Sequence, residues 1–214
     1  MYLPEAFRVD DPEVLHRLLR ERPLGTLVSA GATGLQASPL PWLWEPDAGA
    51  SGALSGHMAR ANPHLADLRS GVECLVVFHG PQGYVSPSWY PSKQRHHQVV
   101  PTWNYAVVQV RGHARVIDEA AWLREHVARL TASREQRRAT PWSPDDAPAD
   151  FVSRMLEAIA GVQVEIEAIE GKFKFSQNRE AADRQAVLTA LADPGDPHSN
   201  AELAQWMRAI IPPG

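Results

Sequence analysis

The chain has 214 residues, 44% of them hydrophobic and 21% charged, so it is long enough to bury a core and is predicted to form one globular unit. Its formal net charge of -4 gives no general attraction for nucleic-acid phosphates, so direct DNA binding would need a local basic patch. The single cysteine, Cys74, excludes intramolecular disulfides and cysteine metal clusters, and no run of about 18 apolar residues suits a membrane span. These features predict a cytoplasmic protein.

The first half of the chain carries mostly strand signals. Asp11-Pro12-Glu13 supplies an N-cap, a first-turn proline and an early acid, which predict the start of a helix. Gly31-Ala-Thr-Gly34 lies between two apolar stretches and predicts the turn of a β-hairpin. We expect Gly112 to mark a bulge in a long strand. The elements predicted in this half are a helix at 11–22, strands at 24–30 and 35–44, a short strand ending near 57, a helix at 62–70, a strand at 72–78 and a long strand from about 105 to 117.

A segment rich in aromatic residues and prolines interrupts these strands. Residues 83–93 and 100–105 contain Pro87, Pro91 and Pro101, which withhold backbone donors and favour extended neighbours, so the segment predicts a shaped loop. Its aromatic side chains offer flat faces for a planar ligand or a subunit contact, or alternatively fasten the loop to the sheet. These side chains are Trp89, Tyr90, Trp103 and Tyr105.

The second half combines helices with one more strand. Residues 161–170 alternate apolar and polar side chains, which is typical of a half-buried strand. The continuation of this strand places Lys172 and Lys174 on one face and Phe173 and Phe175 on the other. We further predict helices at 118–131 and 151–160 and two closing helices, the last opening with a capping box at Ser199 and Glu202. Together the elements predict a β-rich α+β fold, a barrel with peripheral helices, as a single domain over 1–214 with a C-terminal helical extension from about 179.

Five blocks of the sequence resemble, in order, the signature blocks of the PaiB-type FMN-binding negative transcriptional regulators. The blocks are Met1 to Phe7, His57 to His64, Tyr84 to Tyr90, Pro101 to Tyr105 and Gly171 to Asn178. The resemblance implies an FMN-binding split β-barrel, similar to the flavin-reductase-like and pyridoxamine-phosphate-oxidase-like barrels. It also implies a homodimer with FMN near the subunit interface. Because that fold is shared with reductases and oxidases, the activity has to be argued from the site.

The phosphate of FMN needs an anion socket. Arg60 and Asn62 precede Pro63, where a helix begins, so a guanidinium, an amide and a helix N-terminus could converge on one phosphate. The alternative is that Asn62 only caps the helix and Arg60 is solvated.

The isoalloxazine ring needs a flat slot. The strand at 35–40 is similar to the family strand beside the flavin, and Ala37, Ser38 and Pro39 are small enough for close approach. The alternative is an ordinary edge strand that ends at a proline. The resemblance adds the remaining candidate flavin contacts from its blocks, namely His57, Ser86, Trp89, Tyr90, Trp103, Asn104, Ser176 and Gln177.

Two lysines next to the last block form a candidate cationic patch. Lys172 and Lys174 would suit a phosphate, or the N1 side of a reduced flavin, in a protein of net negative charge. The alternative is a solvated outer face of a strand. We predict no metal site, because His57 and His64 have no third ligand at a supporting spacing.

The sequence lacks hydrolase, dinucleotide and phosphate-loop motifs. Acidic residues outnumber arginines in the two C-terminal helices, and the basic segment at 134–138 reads as a solvated helix end, so direct DNA binding is not expected. Two functions remain. One is a flavin-dependent regulatory or sensing role, and the alternative is an FMN-dependent oxidoreductase of the flavin-reductase or small-molecule-oxidase kind. No catalytic residue is assigned.

Overall fold

The protein is represented by a computed structural model that describes residues 1–32, 34–49 and 51–211. Thr33, in the predicted hairpin turn, lies outside the described residues. The strands are β1 (Arg8–Val9), β2 (Leu24–Gly31), β3 (Gly34–Pro41), β4 (Leu43–Glu45), β5 (Ala53–Ala59), β6 (Glu73–Val85), β7 (Thr102–Ile117) and β8 (Ile159–Lys174). The helices are α1 (Pro12–Glu21), α2 (His64–Arg69), α3 (Ser92–His96), α4 (Ala120–Glu135), α5 (Ala149–Glu157), α6 (Ala181–Ala192) and α7 (Ala201–Ile210).

The strands hydrogen bond in the order β3-β2-β6-β7-β8-β5-β4, and β1 pairs with β8. β2 and β3 form the predicted hairpin in antiparallel register, with Val28 opposite Ala37. Long strands separated by helices confirm the predicted β-rich α+β class. No helix within the described residues has the length and hydropathy needed to cross a membrane.

The chain divides into two compact units. Unit 1 comprises Met1–Leu15, His79–Val108 and Glu170–Gly214, described as far as residue 211. Its core includes Phe173, whose ring lies 5.6 Å from Phe175 and 5.9 Å from Trp206, centroid to centroid. The two C-terminal helices α6 and α7 belong to this unit.

Unit 2 comprises His16–Phe78 and Gln109–Ile169. Its strands bury apolar side chains, among them Leu27, Leu54 and Phe78. A second apolar cluster, formed by Leu123 on α4 with Val152 and Leu156 on α5, joins these two helices.

Several predicted bounds are wrong, and each difference has a local cause. The predicted strand at 35–44 is interrupted at Trp42, whose backbone N–H donates to Pro23 O (2.8 Å) while its buried indole donates to Gly25 O (3.1 Å). β6 continues to Val85, seven residues beyond the predicted end at 78, and it includes Gly80 and the buried Pro81. α5 ends at Glu157, because Ile159 already belongs to β8.

The segment predicted to be a loop is more ordered than expected. It contains a 3-10 helix at Pro87–Trp89 and the helix α3, and β7 begins at Thr102. The predicted capping box of α7 is also wrong, because the capping side chain is Asn200, which accepts a hydrogen bond from Leu203 N (2.9 Å).

Candidate functional site

The residues predicted to hold the flavin lie in both units, and each group is described within its own unit. Unit 1 contains the lysine pair and the aromatic blocks, and unit 2 contains the strand β3 and the predicted phosphate socket. The lysine alternation is as predicted, since Phe173 and Phe175 are fully buried while both lysines are partly exposed.

Lys172 is surrounded by aromatic rings in unit 1. Its ammonium group donates to Tyr2 O (3.0 Å) and lies 5.4 Å from the centre of the Tyr2 ring and 5.7 Å from that of Tyr105. Cations at this distance are attracted by the negative face of a ring. The contacts with the two tyrosines therefore hold the positive charge of Lys172 on the outer face of β8.

Lys174 continues this face one step further along the strand. Its ammonium group donates to Thr102 Oγ1 and to Trp103 O (3.0 Å). Burial lowers the pKa of Lys174, Tyr105 opposes this shift, and the positive charges of Lys172 and Arg179 lower the pKa further. The positive charges are thus crowded, which a bound anion would relieve.

Lysine is rare in this protein. Arginines number 18 in the sequence and lysines three, namely Lys93, Lys172 and Lys174. Two of the three lysines consequently stand side by side on one strand face.

Trp103 presents the exposed aromatic surface next to these lysines. Its side chain is half-exposed, and its indole donates to Gln82 Oε1 (3.2 Å). Its ring lies 6.3 Å from the ring of Tyr84, which in turn lies 4.8 Å from the ring of His198. Gln82, Tyr84 and His198 are not among the site residues predicted from the sequence.

Asn104, Ser176 and Gln177 lie beneath the lysine face rather than on it. The amide of Asn104 and the hydroxyl of Ser176, both buried, exchange hydrogen bonds of 3.0 and 3.2 Å. Ser176 has a φ of 66°, a left-handed conformation that is uncommon for residues other than glycine. The amide of Gln177 closes the same turn by bonding Phe175 N (2.7 Å) and Phe173 O (2.5 Å). These contacts fix the end of β8 and so position its lysines.

Ser86, Trp89 and Tyr90 also have protein partners. The hydroxyl of Ser86 caps the 3-10 helix, and the indole of Trp89 donates to Asp196 Oδ2 (2.9 Å). Tyr90 is buried, with the guanidinium of Arg179 4.9 Å from its ring centre. Trp89 and Tyr90 thus hold the segment against residues 179 and 196, outside the strands, while Ser86 stabilises the 3-10 helix within it.

A buried polar network fixes the predicted ring strand in unit 2. His64 bonds Ser29 Oγ through Nε2 (2.8 Å) and Ser38 Oγ through Nδ1 (2.9 Å). Asn62 donates to Ser38 Oγ (3.3 Å) and accepts from His64 N (3.0 Å), so it caps the start of α2. Burial lowers the pKa of His64, while the nearby Asp67 opposes this shift.

The neighbours of Ser38 on β3 point the other way. Ala37 and Pro39 are exposed, as expected from the alternation of side chains along a strand. Their small side chains leave the outer face of β3 open to a flat ligand or to another chain.

Each nitrogen of the Arg60 guanidinium has a protein partner. It binds Asp118 through Nη1, Glu157 O through Nε (3.0 Å) and Ile159 O through Nη2 (2.7 Å). Asp118 also binds Arg69, and the hydrogen bonds from Arg69 and Arg60 lower the pKa of its carboxyl to about 2. This clamp links the ends of β5, β7 and α5.

His57 pairs with His126, which is not among the site residues predicted from the sequence. Its Nδ1 lies 3.1 Å from Nε2 of His126, and the His126 ring stacks on Trp122 with centroids 4.9 Å apart. Trp122 in turn packs against Gly161, where an added Cβ would meet the indole at 2.3 Å. Within the described ranges, no three His, Cys, Asp or Glu side chains are grouped as metal ligands.

The partners that were missed are distant in sequence. Asp118 lies 58 positions from Arg60, and His126 lies 69 positions from His57. No local pattern could connect them. The relation of His64 to Ser38 could have been suspected, because His64 closes one of the family blocks and Ser38 lies in the strand compared with the family strand beside the flavin.

Comparison with solved structures confirms the fold. The flavocytochrome Anf3 from Azotobacter vinelandii superimposes with a TM-score of 0.56 over 78% of this chain and 69% of that chain, at 16% identity. The FAD and heme binding protein from Mycobacterium smegmatis gives a TM-score of 0.55 over 84% and 78%, at 18% identity. The protein therefore has the split-barrel fold of flavin-binding proteins, with peripheral and C-terminal helices, as predicted.

Sequence comparison gives the family. Residues 1–168 match the model described as "Putative FMN-binding domain". Uncharacterized protein AN0679 from Emericella nidulans is 30% identical over 91% of this chain and 92% of its own length. Protease synthase and sporulation protein PAI 2 from Bacillus subtilis is 29% identical over 97% and 96%. The chain belongs to this FMN-binding family, which confirms the PaiB-type resemblance and FMN as the cofactor.

Proposed function

We propose that the protein is a flavin-dependent regulatory or sensing protein that holds FMN against the lysine face of unit 1. The observation that supports a regulatory role is the end-to-end similarity to the Bacillus protein, whose name connects it with protease synthesis and sporulation. Because the similarity covers both chains almost completely, the role would belong to the whole chain.

The groups on the lysine face fit FMN chemically. FMN carries a phosphate and a planar ring, and when bound it supplies reversible hydride and electron transfer. Lys172 and Lys174 would hold an anionic part of the cofactor, and Tyr105 and Trp103 would offer it aromatic surface. Asn104 and Ser176 would act by holding the end of β8 in place.

The predicted residues of unit 2 are also proposed as flavin contacts, and fewer observations support them than support the two lysines. Ala37 and Pro39 leave the outer face of β3 open, and Ser38 is fixed behind them by His64. Arg60 would have to give up protein partners before it could bind a phosphate. We therefore place more weight on the lysines as the cationic part of the site.

The experiment is a redox titration of Lys172→Met and Lys174→Met, with Lys93→Met as the matched control. The two ammonium groups would stabilise negative charge added on reduction, so each removal should shift the midpoint potential by about 20 mV or more to negative values, the two-electron equivalent of about 1 kcal/mol. Lys93 is exposed on α3, and its removal should leave the potential unchanged. Parent-like potentials and FMN affinities in both strand variants would exclude the lysines from the site.

The oxidoreductase alternative is separated by a second measurement. NADH and NADPH are added to the FMN-loaded protein without oxygen, and the flavin absorbance is followed. A slow or absent bleach is expected of a regulatory protein. Rapid bleaching by either nucleotide would favour the enzyme.

Three further properties belong to the same proposal. The protein would be a homodimer, it would be cytoplasmic, and it would act without direct contact to DNA because of its net charge of -4. The open outer face of β3 supports the first of these.

A further inference from the structure

Unit 2 contains a cavity of about 740 Å³ that is separate from all the residues assigned to the flavin. It lies between one face of α4 and the segment at 141–145. Its volume is within the range of roughly 300 to 1,000 Å³ that is typical of small-molecule sites. The size therefore suits an organic ligand.

The cavity has an apolar floor and an aromatic wall. Ala121, Ala128 and Ala132 recur at helical spacing along α4 and form the floor. Trp142 forms part of the wall and keeps 49% of its surface exposed, although its backbone N–H is held by Glu135 Oε2 (3.2 Å). The indole is thus available to a ligand while its backbone is anchored.

The wall is also held in shape by its own hydrogen bonds. The backbone N–H of Ser143 donates to Asp146 Oδ2 (2.7 Å), and its hydroxyl accepts from Asp145 N (3.3 Å). Pro144 between them is buried. A ligand would consequently meet a wall that is already formed.

The charges that line the cavity are mainly negative. Three carboxylates, those of Glu125, Glu135 and Asp145, line it together with a single guanidinium, that of Arg124. Arg124 pairs with Asp145 (3.7 Å), and Glu135 pairs with Arg138 (3.1 Å). Glu125 is the remaining carboxylate of the lining, and Arg129, the cation on which its charge acts, is itself paired with Glu45.

We propose that this cavity binds a flat aromatic cation, such as a quaternary nitrogen heterocycle. An indole face and a carboxylate surplus attract a cation, and the alanine floor accommodates a flat apolar body. A neutral ring of the same shape would gain from the floor and wall but not from Glu125. This site goes beyond the flavin role and does not depend on it.

The test is calorimetric titration of the protein with N-methylquinolinium and, at pH 8, with neutral quinoline. The cation should bind at least about threefold more tightly than quinoline. Glu125→Gln should weaken the cation by about threefold to fivefold and leave quinoline unchanged. Trp142→Leu should weaken both, and the cation by about tenfold.

Glu119→Gln is the matched control, because Glu119 is exposed, directly precedes α4 and lies outside the cavity lining. It should leave both affinities unchanged, and all variants should retain FMN. Absence of cation binding to the parent protein would overturn the proposal, as would equal losses in Glu125→Gln and Glu119→Gln. A parent protein that self-associates through Trp142 without binding the cation would make the cavity a contact between copies, which also overturns it.

Discussion

His126 is a buried histidine whose position predicts a pH dependence of stability. Burial lowers its pKa to about 4, with smaller contributions from His57 and Arg129, and its Nδ1 has no hydrogen-bond partner among the described residues. Burial also lowers the pKa of His57. Both rings are therefore neutral in the folded protein near pH 7. Their protonation at low pH places a positive charge in a buried site and so destabilises the folded state.

The sign of the effect follows from the lowered pKa. In the unfolded chain a histidine has a pKa near 6.5, so the unfolded state binds protons first as the pH falls. The stability that the neutral ring allows is present above about pH 6.5 and is lost progressively as the pH falls toward 4. For a difference of about 2.5 units, the loss is on the order of 3 kcal/mol.

The measurement is the free energy of unfolding between pH 7.5 and 4 by urea titration. His126→Phe should flatten this profile, because it removes the titrating group and keeps an aromatic ring against Trp122. The control is His97→Asn, since His97 is exposed and asparagine tolerates its left-handed backbone (φ 53°). A His126→Phe profile as steep as that of the parent would show that other groups cause the acid sensitivity.

Arg60 leads to a second prediction at the residue scale. Its contacts with Asp118, Glu157 O and Ile159 O are partly exposed, so we expect Arg60→Ala to lower the free energy of unfolding by about 1 kcal/mol. FMN affinity, measured by fluorescence titration, should change little. The matched control is Arg69→Ala, which removes the other arginine on Asp118. A selective loss of FMN affinity in Arg60→Ala would contradict this expectation and support the predicted phosphate socket.

Among the elements, the pairing of β7 with β8 depends on one glycine. A Cβ at Gly112 would stand 1.8 Å from Glu165 O, so Gly112→Ala would push the two backbones apart. Gly34 is a useful contrast, because its φ of 95° is strained for other residues but no atom lies within 4 Å of an added Cβ. We expect Gly112→Ala to cost on the order of 3 kcal/mol or more and Gly34→Ala about 1 kcal/mol. Chemical denaturation measures the free energy of unfolding of both variants. Equal costs would contradict the prediction, because they would show that β8 shifts to accommodate the added Cβ at position 112 without a large loss of stability.

The sequence predicted elements well where the signal was local. The period-two alternation of residues 171–175 predicted which faces carry the lysines and phenylalanines, since neighbouring side chains of a strand point in opposite directions. The capping of α7 was misplaced by one residue because Ser199 and Asn200 are both good N-caps. The extension of β6 past Pro81 was missed because proline usually ends a strand, yet here it is buried within one.

The sequence predicted less of the candidate site than of the strands and helices. Its residue types followed from the family blocks, but spacing along the chain does not tell which side chains are already bonded within the protein. The side chain of Gln177, for example, already hydrogen bonds to the backbone of a turn, and the side chain of Arg60 already bonds Asp118. The lysine face emerged from local alternation, whereas its tyrosine neighbour Tyr2 comes from 170 positions away.

At the scale of the whole molecule, the outer face of the β2–β3 hairpin predicts a homodimer. Leu24 and Leu35 are 64% and 76% exposed, and Val28 lies opposite Ala37 between them. Exposed leucines in a row of small apolar side chains are typical of a surface that another chain covers. A second copy would bury this face, and a charge placed there would cost on the order of several kcal/mol when buried without a partner.

The test is sedimentation of the FMN-loaded protein at micromolar concentration. The parent should sediment with twice the chain mass of 23.6 kDa, and Leu35→Glu should shift it toward one chain. Phe151→Glu is the control, because Phe151 is also an exposed large apolar side chain (46%) but lies on α5 and not in the hairpin. It should remain dimeric. A parent mass of one chain would refute the homodimer, and a Leu35→Glu dimer as stable as the parent would move the interface away from the hairpin, toward the segment at 86–105.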